Sequence, residues 1–94
     1  MAMKAPPHPG RIIHNTCLEP LGISVGEAAV ALRVHESVLA GIVDGRMPLS
    51  ADMAVRLEMA FGGTADGWMR LQSAHDLARA RSRAASLRIR RYRG

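Results

Sequence analysis

A chain of 94 residues suits one domain with a modest core, because its only aromatics are Phe61, Trp68 and Tyr92. The net charge of +5 is unevenly placed: residues 1–78 carry −2, whereas residues 79–94 add seven arginines and no acid. The longest apolar run, Ala28 to Leu32, is far too short to cross a membrane, Met1 to Pro9 lacks the apolar stretch of a secretory signal, and the lone Cys17 excludes an internal disulfide; a cytoplasmic protein is expected.

In chain order, Met1 to Pro7 reads as a flexible arm, and His8-Pro9-Gly10 sets proline at the start of a helix running to about Leu18. An amphipathic helix there buries Cys17 between Ile13 and Leu21 as a core thiol, and Glu19-Pro20-Leu21-Gly22 closes it. Ser24-Val25-Gly26-Glu27 has the form of a capping box, so a second helix starts there and stops near Arg33-Val34. Its Ala28, Ala29 and Ala31 are small enough to let the next helix cross closely. That next helix spans His35 to Val43, with Leu39, Ile42 and Val43 on one face and Asp44-Gly45 supplying the positive φ of a C-cap. Ser50 opens a fourth helix in which Met53, Ala54, Leu57, Ala60 and Phe61 face inward, and Gly62-Gly63 ends it.

Thr64 caps a fifth helix with Asp66 at its positive end and Trp68, Leu71, Gln72 and His75 along one stripe, continuing through Ala78 toward Ala85. That stripe has two readings, packing against the preceding helices or a dimer seam. Leu87-Arg88-Ile89-Arg90 alternates as a strand would, over too few residues to carry weight. The arginine run that follows suits phosphate binding, docking on an acidic protein groove, or solubility alone.

From Ser24 to Leu57 the pattern is therefore helix, tight turn, helix, turn, helix, at the spacing of a DNA-reading motif; a plain helical bundle has the same periodicity. Other chemistry finds no support. His8, His14, His35 and His75 have no metal-ligand spacing, no phosphate loop or nucleophile elbow occurs, and the carboxylates are dispersed, so neither catalytic residues, metal nor cofactor is expected.

His8-Pro9-Gly10, Leu18 to Ser24, Ile42 to Arg46, Leu49 to Leu57 and Trp68 to Asp76 together resemble the HigA/VapI antitoxins, over roughly residues 8–81. The resemblance implies an all-α, five-helix domain of the lambda-repressor-like helix-turn-helix class, with residues 1–7 as an arm and 82–94 as an Arg-rich tail outside it. It also implies a homodimer that neutralises a RelE-like, mRNA-cleaving toxin and represses its own operon; a stand-alone helix-turn-helix regulator, or an antitoxin that has lost operator binding, is the alternative. On this sequence the recognition helix is His35 to Val43, presenting His35, Glu36, Ser37, Val38, Ala40 and Gly41 outward, with Arg46 on a phosphate and Arg33 and Arg56 as helpers or simple surface charges. Val25 replaces a common Gln, and Val38 and Ala40 replace common Arg and Asn, which lowers the capacity for direct base readout.

Overall fold

The computed structural model describes residues 6–93. They are all-helical: α1 (Pro9–Ile13) runs on into a π-helical turn (His14–Leu18), followed by α2 (Val25–Leu32), α3 (Glu36–Val43), α4 (Ala51–Phe61), α5 (Ala65–Ser82) and a final turn, α6 (Ala84–Leu87). The brief alternation over Leu87 to Arg90 forms no strand, because Leu87 closes α6 and Arg88 takes a left-handed backbone (φ 52°). Of the expected arm, residues 1–5 lie outside the described residues; Pro6 is half-buried and its carbonyl accepts from His75 Nδ1 at 3.1 Å.

The start of α1 is set by chemistry local to it. Pro9 at the first helical position has no N–H to satisfy, and the next one, on Gly10, donates to His8 Nδ1 at 2.9 Å. Further along, the Thr16 hydroxyl donates to the Ile12 carbonyl (2.7 Å), and the helix widens so that Glu19 N–H reaches His14 O (2.9 Å). The wider turn brings both Cys17 and Leu18 to the interior. Ser24 and Glu27 form the full reciprocal capping box (3.1 and 3.0 Å), and Ser50 and Thr64 cap α4 and α5 through the amides of Met53 and Gly67.

Ile13, Leu39, Ile42 and Leu57 are the fully buried centre, surrounded by Cys17, Leu18, Ala28, Ala29, Leu32, Leu49, Met53, Ala54 and Trp68. Two small residues depart from expectation: Ala31 and Ala60 are exposed, since the core-facing stripes of their short helices are already filled by Ala28, Ala29 and Leu32 and by Met53, Ala54 and Leu57. Trp68 is 9% exposed and Gln72 5%, so the stripe on α5 packs inward at those positions. Gln72 accepts the Leu49 amide through Oε1 (2.7 Å) and donates to Asp76 through Nε2 (2.8 Å), which fixes the loop before α4 to the long helix.

Where α1 crosses α3, glycine is obligatory. A Cβ on Gly10 would overlap the Ile42 carbonyl oxygen and lie 2.9 Å from Val43 Cα, both backbone atoms that cannot swing aside. Gly10→Ala should therefore destabilise the domain by about 2–3 kcal/mol, read as a lowered urea midpoint at unchanged slope. A midpoint equal to wild type would mean that the two helices part without cost.

The imidazoles of His8 and His75 meet edge to face, with centroids 5.0 Å apart. Burial, then the neighbouring His75, lowers the His8 pKa from its ordinary 6.5, with Met47 and Asp76 acting weakly against this and Arg79 with it. A His held neutral contributes stability that is full above 6.5 and is lost as pH falls through that value toward the lowered folded one. Urea midpoints should accordingly fall from about pH 7.5 to about pH 5.5, and His8→Asn, which keeps a cap acceptor, should flatten that fall.

Candidate nucleic-acid interface

The helix-turn-helix is built on how α2 stops. Its last turn closes with Arg33 N–H on Val30 O (3.1 Å) and Val34 N–H on Ala29 O (3.0 Å), a reversal that needs a left-handed residue; Arg33 takes it at φ 57°, without being glycine. The chain is then extended through His35, the N-cap of α3. Arg56, from α4, braces this reversal: its Nη1 donates to the carbonyls of Leu32 (2.8 Å) and Arg33 (3.2 Å), while Nε donates to Asp52 (2.7 Å). The side chain expected as a helper on phosphate is thus occupied as a cap on α2.

The buried side of α3 is formed by Leu39, Gly41 and Ile42. His35, Glu36 and Ser37 are exposed, Val38 is 37% exposed and Ala40 half-buried. Gly41, expected outward, is buried: Met47 folds back over it, so close that a Cβ there would lie 2.6 Å from the Met47 sulfur. Helical periodicity places the core residues of α3 correctly but is blind to what the loop after the helix covers. His35 Nδ1 and Ser37 Oγ pair at 3.0 Å, holding the first turn of the helix in one arrangement while leaving His35 Nε2 clear of that bond.

The end of α3 is fixed as firmly. Gly45 N–H donates to Ile42 O (3.0 Å) and Arg46 N–H to Gly41 O (2.9 Å), with Gly45 at φ 78°. Arg46 is exposed and forms an ion pair with Asp44 at 3.1 Å, worth little in water and easily exchanged for a phosphate oxygen. Beside it, Arg11, His14, Asn15, Val43 and Asp44 line a shallow polar cleft. Helical periodicity carries no signal for Arg11; the signal lies in Gly10, whose missing side chain lets that turn of α1 approach the recognition helix. Among the described residues no group of three His, Cys, Asp or Glu side chains could hold a metal, and no helix is long and apolar enough to cross a membrane.

No family model matches the chain. Among curated proteins it is 41% identical over 78 residues to virulence-associated protein A of Dichelobacter nodosus (82% of this chain, 76% of that protein). Virulence-associated protein I of the same organism is 39% identical over 82 residues (87% and 76%), and antitoxin HigA-1 of Vibrio cholerae is 34% identical over 74 (79% and 70%). Among solved structures, antitoxin GraA superposes with a TM-score of 0.90 at 31% identity, covering 96% of this chain and all of that one. The Pseudomonas aeruginosa antitoxin HigA, solved with the higBA promoter, superposes with a TM-score of 0.82 at 36% identity over 88% of this chain and 91% of its own.

If Arg56 braces the reversal between α2 and α3, Arg56→Met should lower unfolding stability by about 1–2 kcal/mol, the scale of a charged hydrogen bond at a partly exposed site. Full stability in denaturant together with weakened DNA binding would instead make Arg56 a phosphate contact.

Proposed function

The chain belongs to the HigA/VapI family of helix-turn-helix antitoxins, and from that premise we propose that it is the antitoxin of a type II toxin–antitoxin pair, a non-enzymatic cytoplasmic homodimer that represses its own operon and neutralises a RelE-like, mRNA-cleaving toxin. The observation that carries the DNA-binding half is the solvent-facing first turn of α3, on a helix bounded at both ends by reversed-chain caps, in a fold shared with an antitoxin solved on its promoter.

In this reading His35, Glu36 and Ser37 meet base edges, Val38 and Ala40 pack against thymine methyls, and Arg46, with Arg33, takes phosphate oxygens. Gly41 contributes by admitting Met47 and Arg56 by bracing the turn, both through structure. Val55 and Met69 line an apolar cleft between α4 and α5, with Met59 80% exposed on α4, and this is the surface we assign to the second protomer. Two paired recognition helices then require half-sites about 34–36 Å apart, one turn of DNA. The loss of hydrogen-bonding groups at Val25, Val38 and Ala40 favours one second reading, an antitoxin that keeps its protein partner and has given up its operator.

The tail follows from the charge map. The recognition face holds Glu36 and Asp44 against Arg33 and Arg46, so it is neutral, and the excess positive charge sits on Arg79 to Arg93. We assign the tail to sequence-independent binding of phosphates. By fluorescence anisotropy on the upstream duplex, removal of residues 83–94 should weaken binding and flatten its salt dependence by about 0.9 log units per log salt for each phosphate that is no longer neutralised. An unchanged slope would overturn that role. Co-purification with the product of the adjacent gene, followed by rescue of its toxicity in cells, decides the antitoxin half.

A further inference from the structure

Glu36 is an acid in the first turn of a helix proposed to enter a polyanion. No cation lies within 4.0 Å of it among the described residues. Its carboxylate nevertheless has a defined place, because it folds back across the turn onto α2. A Cβ on Gly26 would stand 2.8 Å from Glu36 Oε1 and 3.4 Å from Cδ, so the carboxylate rests in the space that a glycine leaves open. The neighbouring acid, Glu27, is already engaged with the Ser24 amide and does not compete for that place. The first turn of α2 is also where backbone N–H groups lack helical partners and the helix dipole favours negative charge.

We propose that Glu36, resting over Gly26, is a charge gate on the DNA-reading face, holding down affinity for duplex DNA in general and leaving its place only where a base-edge amino group, as on cytosine N4, can take its carboxylate. The inference rests on the operator-binding reading above and adds to it the residue that sets discrimination. With no side-chain hydrogen-bonding group at Val38 or Ala40, attraction to the right bases is weak, and selectivity then comes from repulsion by the wrong ones. A phosphate or a carbonyl edge meeting Glu36 finds like charge or an acceptor facing an acceptor; only an amino donor converts it into a bond. Gly26 sets how readily the carboxylate leaves, since a side chain there would crowd it out of its resting place.

Two variants separate a placed charge from net charge, titrated by fluorescence anisotropy against the upstream operator duplex and a scrambled duplex of equal length. Glu36→Gln keeps the shape and removes the charge: binding to scrambled DNA should tighten about fivefold, from relief of one close like-charge approach, and binding to the operator less. Discrimination therefore falls. Gly26→Ala keeps the charge and fills its resting place within a helix that accepts alanine readily, so operator binding tightens, scrambled binding does not, and discrimination rises. Equal gains on both duplexes for Glu36→Gln, or a Gly26→Ala protein with wild-type discrimination, would overturn the gate. A wild-type protein that binds neither duplex at low salt would overturn the operator reading itself, a distinct outcome.

Discussion

The contact of Gly10 with the backbone of Ile42 and Val43 is the constraint from which the rest of this domain takes its geometry. Two helices whose backbones touch have no side chain between them to compress or rotate, so their relative position is set by hard contact. One of the two is the helix whose first turn turns His35, Glu36 and Ser37 toward solvent. Its inward residues, Leu39 and Ile42, are fully or nearly fully buried among Ile13, Leu57 and the alanines of α2. A core short of aromatics thus gains its rigidity from close approach, small residues on α2 and a glycine on α1, in place of bulk.

Rigid placement also depends on how the helices end. Three times the chain leaves a helical segment through the same pair of reversed hydrogen bonds, at Gly22, Arg33 and Gly45. Glycine accepts the left-handed backbone freely at two of them. At Arg33 it costs about 1 kcal/mol on the usual scale for a residue with a side chain. Arg56 offsets that cost by donating to the two carbonyls the reversal exposes. The turn between the two helices of the motif is therefore held from outside by a third helix, which couples its geometry to the core through Met53, Ala54 and Leu57 on the same helix.

Much of this is legible in the residues themselves. Capping signals at Ser24, Ser50 and Thr64, the stops at Gly22, Gly45 and Gly62, and the apolar stripes of α2 to α4 are local, and local chemistry decides them. What is not legible depends on neighbours distant in sequence. Gly41 lies on the outward arc of its helix by periodicity and is buried because Met47 folds over it; Arg56 has the composition of a surface cation and is committed to carbonyls more than twenty residues away. Ala31 and Ala60 mark the same limit from the other side, since alanine satisfies a core or a surface equally and carries no signal of which it will meet. Gln72 falls on the inward stripe by periodicity, but its reason for being there, the Leu49 amide, is brought to it only by the loop before α4.

In the proposed reading, the distribution of charge divides affinity from selectivity within one small chain. Residues 1–78 are net negative and hold the shaped surface, whereas residues 79–94 are strongly positive, and the described residues beyond α6 have no regular structure. Phosphate attraction is indifferent to sequence and weakens with salt; base recognition requires fixed donors and acceptors and tolerates salt far better. A basic patch on the recognition helix would merge the two, so that every duplex bound well and discrimination became a small difference between large affinities. With the excess arginines gathered from the end of α5 onward and an acid kept on the first turn of α3, raising non-specific attraction and sharpening sequence choice become, in the proposed reading, changes to different residues. The radius of gyration, 16.0 Å against about 12 Å for a compact chain of this size, shows how far that stretch reaches from the packed helices. Reach without fixed shape is what phosphate binding requires, and fixed shape without excess charge is what reading bases requires.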